Sequence, residues 1–364
     1  MKKFIGGLLG AALLLSPLTT TVNAAEYKDP YDNYFPDDTW GHWAEADMLN
    51  MLQSDIVRGE KVENKKQGIT YLYLKPDSNI TRAEFVVMVV RALELQTTKA
   101  GKNFTDIQGH WAQNDINTAS ALNIVGGRTA TTFDPYGKIT RAEISAILVR
   151  AFDANVDFDK GQTKSFSDLK TTHWAYDDLV KAIRVGVLRG VTETTVSPNS
   201  YATRAQSAVM IKRSLGKEEL KLPTLEQLKS LILTDEQDAV DATNAKNADE
   251  LDALNEQNHY GMAHSLWGWN NDILRYAFED QEDPYNVVQE IASEPTFTVK
   301  SLSTHFAEVT VDNLIMNYNV PNPDTNQTET MTEDQSGVYY LVKRDGVWKV
   351  YSTDYLAAYL YDEF

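Results

Sequence analysis

The sequence predicts a multidomain protein: an all-α module of three related units, followed by an α+β module with a curved antiparallel sheet. Three observations predict it. The stretch Ile80-Thr81-Arg82-Ala83-Glu84 returns as Ile139-Thr140-Arg141-Ala142-Glu143 and, weakened, as Ala202-Thr203-Arg204-Ala205-Gln206. Charge divides the chain, with 22 Lys plus Arg against 21 Asp plus Glu over 35–215 but 9 against 28 over 216–364, so the net −18 lies almost wholly in the second part. Finally, apolar spacing changes from helical to alternating near Thr296.

Taken in order, Met1-Lys2-Lys3 is a short positive region, Phe4 to Leu15 an apolar run, and Val22-Asn23-Ala24 a small-x-small cleavage form. Residues 1–24 read as a secretory signal peptide. No later stretch approaches the roughly 20 apolar residues of a membrane span. An exported protein without a span is expected from about Ala25. The chain has no Cys, which excludes disulfides and thiolate metal sites despite export.

Each Thr-Arg stretch reads as a helix start. The Thr hydroxyl caps the first turn, and the Glu or Gln three residues on reaches back to the cap's own N–H. Ile80 with Phe85, and Ile139 with Ile144, occupy the two positions of a hydrophobic staple. Capping does not explain the arginine, since a cation in the first turn opposes the positive end of the helix dipole. Two readings stand: a guanidinium that faces an anion together with free N–H groups, or a surface Arg paired with a neighbouring carboxylate. Threefold recurrence at one helix position favours the anion.

A second signature precedes each box: Phe35 with Asp37 and His42-Trp43-Ala44, Phe104 with Asp106 and His110-Trp111-Ala112, Phe166 with Asp168 and His173-Trp174-Ala175. The His-to-Thr spacing is 30 residues in copies two and three, while 38 already separate Trp43 from Thr81, so copy one carries an insertion near Glu60 to Tyr71. Between signature and box lie a helical stretch, a glycine turn (Gly59, Gly127, Gly190) and a Pro-containing turn (Pro76, Pro135, Pro198). Each unit is therefore helix, loop, helix. One unit is too small to bury its faces alone, and three sharing a core suffice. An aromatic at a helix start is more often core, so Trp43, Trp111 and Trp174 read first as core and second as platforms for sugar rings. The histidines read as hydrogen-bonding a turn, and the three Asp as turn or cap residues.

This order of motifs closely resembles the surface-layer homology (SLH) domain triplet of bacterial cell-surface proteins, over about Phe35 to Leu215, with repeats at 35–95, 104–155 and 166–215. The resemblance implies a pseudo-threefold arrangement whose inter-repeat grooves bind secondary cell wall polymer, an anionic and typically pyruvylated polysaccharide, non-covalently at the cell wall or S-layer. It assigns Arg82, Arg141 and Arg204 to the acidic sugar, helped by Gly59, Gly127 and Gly190, with Trp43, Trp111 and Trp174 as further polymer contacts. Replacing all three arginines by Ala is expected to abolish wall retention while the fold survives. Copy three departs at Ala202 and Gln206, both capping changes.

Residues 216–250 read as an acidic helical spacer, with Thr234-Asp235-Glu236 a helix start. Beyond it Tyr260 to Phe278 is helical in spacing, Asn286 to Ala292 suggests a short helix, and Thr296–Lys300, Ala307–Val311, Asn313–Val320, Gly337–Lys343 and Val347–Tyr351 alternate as strands, the last two joined by a hairpin turn at Arg344-Asp345-Gly346. This arrangement looks like the NTF2-like or cystatin-like α+β domains of exported bacterial proteins, over 251–364, whose pocket binds a ligand, houses catalysis or stays empty.

Acidity argues against nucleic acid. His259 and His264 are five apart and off a shared helical face, His305 is alone, no Gly-x-Ser-x-Gly occurs, and Glu279, Asp280, Glu282 and Asp283 read as a polar helix end. No calcium loop with alternating carboxylates is found. Neither a catalytic set nor a cofactor is called for. The expected role is anchoring with an acidic C-terminal domain on display. The alternative is a surface-anchored enzyme or ligand-binding protein active in its C-terminal pocket.

Overall fold

The computed structural model describes residues 31–279, 286–321 and 327–361. The expected signal peptide, and Asp280 to Asp283, lie outside these residues. Packing divides the chain into two units, one of 36–222 with Ser303–His305, the other containing Pro223–Leu302 and Phe306 onward.

In the first unit each repeat supplies two helices. They are α1 (Glu45–Gln53) and α2 (Arg82–Ala92), α3 (Gln113–Ala121) and α4 (Arg141–Phe152), and α5 (Tyr176–Arg184) and α6 (Arg204–Leu215). The insertion in copy one is a hairpin, β1 (Glu60–Asn64) paired antiparallel with β2 (Ile69–Tyr73). All three capping boxes form, with the hydroxyls of Thr81, Thr140 and Thr203 accepting from the N–H of Glu84, Glu143 and Gln206. Ile80, Phe85, Ile139 and Ile144 are fully buried. The residues before the boxes close a cycle of backbone bonds. Ile80 donates to Ala202 (3.2 Å), Ala202 to Ile139 (3.0 Å) and Ile139 to Ile80 (3.2 Å).

The Asp residues do more than cap local turns. Asp106 accepts from the N–H groups of Phe133 and Asp134, and Asp168 from those of Val196 and Ser197, tying each signature to the segment before the box. Burial works against the ionised form, yet these donors hold both carboxyls below the usual range. In copy one the matching bonds are made by Asp38, to the N–H groups of Leu74 and Lys75, while Asp37 accepts from Leu72. By these bonds the first signature is displaced by one residue from its expected register.

The second unit begins earlier than the sequence suggests. The expected spacer and its helix start at Thr234 are replaced by one helix, α7 (Leu225–Asn244), which a Thr224–Gln227 capping box opens and no Gly or Pro interrupts. Its Val240 and Ala242 enter a core with Leu251, Leu274, Met316 and Tyr318, and two of its acids, Asp235 and Glu236, are buried as well. Next come α8 (Ala248–Asn258) and α9 (Gly261–Glu279). Strands β3 (Val288–Ile291), β6 (Ile315–Pro321) and β7 (Thr328–Asp334) form one antiparallel sheet. Strands β4 (Thr296–Leu302), β5 (Phe306–Asp312), β8 (Gly337–Arg344) and β9 (Val347–Thr353) form another, in the order written. The single expected sheet is therefore two. The stretch expected as a helix at 286–292 is β3, because Val288 to Ile291 pair with Met316 to Asn319 and tertiary pairing overrides a short propensity. Helix α10 (Asp354–Tyr361) closes the described chain, with the Tyr361 hydroxyl donating to the Tyr34 carbonyl.

Candidate functional site

The box arginines do not project freely. Arg82 donates from Nε to the Phe133 carbonyl (3.1 Å) and from Nη2 to the Gly126 carbonyl (3.2 Å), and pairs with Glu143 at 3.0 Å. Arg141 makes the corresponding bonds to the carbonyls of Val196 (2.9 Å) and Arg189 (2.6 Å). Arg204 reaches those of Leu74 (2.7 Å) and Arg58 (3.0 Å) and pairs with Glu84 at 2.8 Å. Each arginine thus locks the glycine turn of the next unit, the third acting on the first. Arg82 and Arg141 are only 5% exposed. Burial pulls both guanidinium groups below their usual range, with Glu143 opposing this at Arg82. Arg141 has no ion pair among the described residues because Gln206 stands where the other copies have Glu.

The expectation that all three arginines can be removed without loss of fold meets this geometry directly. Removing one would take the guanidinium donors from two carbonyls, and in two copies from a carboxylate that keeps its capping Thr, with Arg128 also remaining on Glu143. The glycines have the same origin. A Cβ on Gly127 would lie 2.3 Å from the Thr129 carbonyl oxygen, one on Gly190 2.3 Å from that of Thr192, and one on Gly59 2.5 Å from the Leu72 side chain. Backbone crowding excludes a side chain at the first two.

What remains accessible is a cleft of about 140 Å³ lined by Arg82, Gly126, Gly127, Arg128, Glu143, Arg150 and Trp174. It combines Arg82 from the first repeat, the turn and helix α4 from the second, and Trp174 from the third. Arg128 joins Arg82 on Glu143, and Arg150 lies 3.6 Å from Asp178. The side chains of Arg128, held by Glu143 and Asp134, and Arg150, beside Asp178, are 40% and 44% exposed, and so carry cationic charge to the surface where Arg82 is buried. Sequence reasoning missed both. The signal was present for the second, since an arginine follows each box arginine by nine residues, at Arg91, Arg150 and Arg213.

The tryptophans overturn the core reading. Trp43, Trp111 and Trp174 are 63%, 61% and 64% exposed. Beside each, the preceding histidine accepts from the alanine N–H two residues on through Nδ1, at 3.1 to 3.2 Å, as expected of a turn histidine, and its ring sits against the indole. The helices carrying these indoles pack against the box helices: α1 on α6, α3 on α2 and α5 on α4. Exposed aromatics at a repeated place, with Trp174 on the wall of the arginine-lined cleft, suit stacking on sugar rings with anionic substituents.

Residues 103–144 and 165–208 match the S-layer homology domain family. The chain is 26% identical over 231 residues to an S-layer protein of Bacillus thuringiensis subsp. finitimus, covering 63% of this chain and 26% of that protein. It is 32% identical over 163 residues to a cellulosome-anchoring protein of Acetivibrio thermocellus, covering 42% and 35%. To an amylopullulanase of Thermoanaerobacterium thermosulfurigenes it is 28% identical over 217 residues, covering 57% and 11%. The chain therefore spans between about a tenth and about a third of the length of these curated relatives.

Proposed function

On the premise that this chain carries S-layer homology domains, we propose that it is an exported protein held non-covalently on the bacterial cell wall, displaying its acidic C-terminal unit. The ligand is an anionic secondary cell wall polymer, with carboxylates such as those of pyruvylated sugars meeting Arg128 and Arg150 and sugar rings stacking on the tryptophans. The observation that carries this reading is the cleft at Arg82, where three arginines and an exposed indole converge from three units. The cyclic pattern of backbone and arginine bonds supports a pseudo-threefold arrangement with three such clefts, and simultaneous occupation slows release through effective concentration. In this reading the box arginines build the cleft and the exposed groups meet the polymer.

The test is sedimentation of the protein with purified walls before and after chemical extraction of the anionic polymer. Wild type should sediment only with unextracted walls. A variant with Trp43, Trp111 and Trp174 all changed to Ala should lose at least about tenfold in retention, equivalent to 1.4 kcal/mol or more, while its melting curve is unchanged. Arg128→Ala with Arg150→Ala should lose less. Retention indifferent to both polymer and tryptophans would sink the proposal.

A second reading, that the C-terminal unit binds a ligand or catalyses, draws support from a buried cavity there. Hydrolysis and ligand-induced melting screens separate it from inert display.

A further inference from the structure

Helices α7, α8 and α9 enclose a cavity of about 30 Å³ lined by Asp235, Glu236, Asn255, His259, Trp267 and Asn270, with apolar walls from Ala239, Leu251 and Leu254. Its polar groups divide into a satisfied set and an unsatisfied one. In the first, His259 places Nε2 2.9 Å from Asp235 Oδ2 and Nδ1 3.1 Å from Asn255 Oδ1. The Asn255 amide is oriented by its Nδ2, which donates to the His264 carbonyl. Both imidazole nitrogens therefore lie at hydrogen-bond distance from side-chain oxygens. Asp235 Oδ1 also accepts from Asn258 Nδ2 at 2.8 Å. The hydrogen bonds close within this set.

The second set is left open. Glu236 is buried on the adjacent position of α7, accepts the Tyr339 hydroxyl at 2.6 Å, and has no cationic partner at ion-pair distance among the described residues. Asn270, 1% exposed, lines the same cavity with an Oδ1 that meets no donor. A buried acceptor without a donor, such as Asn270 Oδ1, is costly and rare, and beside a buried carboxyl that has one hydroxyl donor and no ion pair it marks a place suited to a group that brings N–H donors and positive charge. The indole of Trp267 supplies an aromatic wall compatible with a cation.

We infer that this cavity is a binding site for a small primary ammonium group, which Glu236 and Asn270 accept and Trp267 helps enclose. The volume, about twice what one water requires, admits an ammonium or methylammonium head and excludes a quaternary one. The site lies within the C-terminal unit and does not depend on the wall-anchoring reading.

Methylammonium chloride is the probe, titrated calorimetrically into the full chain at constant ionic strength against sodium chloride, tetramethylammonium chloride and sodium acetate. Methylammonium should bind saturably and raise the melting temperature of the C-terminal unit, and the other three should not. Glu236→Gln and Asn270→Leu should each weaken binding at least about tenfold. Asn270→Asp keeps the shape and adds a carboxylate, so it should tighten methylammonium binding; this serves if the Leu variant fails to fold. No saturable methylammonium binding to wild type overturns the inference. So does binding of acetate at the same site, or weakening by Asn270→Asp.

Discussion

Two regions of this molecule bury charge in opposite ways. In the repeat unit Arg82 is buried and fully matched, with two carbonyls and Glu143 around its guanidinium. In the C-terminal unit Glu236 is buried beside another acid, with one hydroxyl donor and no ion pair among the described residues. The difference teaches that a matched buried charge is a fastener, because its desolvation is offset on the spot, whereas an unmatched one is retained against a continuing cost. Fasteners belong to architecture, and unmatched groups point to something the protein meets.

The largest effect should come from breaking a fastener. Arg82→Met strands two carbonyls and leaves Glu143 to Arg128 and Thr140, and should destabilise the repeat unit by about 2–4 kcal/mol in urea denaturation. Arg141→Met strands carbonyls only and should cost about 1–3 kcal/mol. Equal costs would mean that the Glu143 pair adds nothing.

The unmatched group should report through pH. Burial, then the neighbouring Asp235, push the Glu236 carboxyl up to about 7 from an ordinary 4.5. A raised carboxyl favours the protonated folded state, so its stability is intact below about 4.5 and is lost as pH rises to about 7. The loss is on the order of 3 kcal/mol. Melting of the C-terminal unit from pH 5 to 8 should show this decline, and Glu236→Gln should remove it. A persistent slope in that variant would place the titration elsewhere.

Smaller again is Gly127→Ala, which drives a methyl against the Thr129 and Thr132 carbonyl oxygens and displaces the turn whose Gly126 carbonyl Arg82 holds. About 1–3 kcal/mol is expected. Gly126→Ala, with open space at its Cβ, is the control and should cost little.

The smallest is Gln206→Glu. It rebuilds at Arg141 the pair that Arg82 and Arg204 already have, and should stabilise the unit by about 1 kcal/mol or less. It also adds negative charge near Arg141, so polymer retention should weaken slightly as the fold strengthens. A gain in both would contradict the separation of fastener from contact.

The repeat unit was largely legible because its devices are local. A capping box, a His two residues before an alanine N–H and a glycine against a carbonyl all operate within a few residues, and their recurrence made them audible three times over. Legibility failed where partners are distant. The sequence cannot tell that Asp38 rather than Asp37 matches Asp106, since only bonds to Leu74 and Lys75, some 36 residues on, decide it. Strand β7, Thr328–Asp334, is polar on nearly every residue and exists through its pairing with β6. The ammonium cavity was invisible for the same reason. Asp235, His259 and Asn270 sit on separate helical segments, and no spacing links them.

The cycle of bonds among Ile80, Ala202 and Ile139 also fixes a number. A linear array of repeats can lengthen or shorten by one, because each unit needs only its neighbours and a cap. Here the last unit hands its bond back to the first, so removing one leaves a donor and an acceptor facing nothing, and adding one finds no opening. Deletion or insertion of a single unit should therefore be unproductive, and inheritance of this module should proceed by whole triplets.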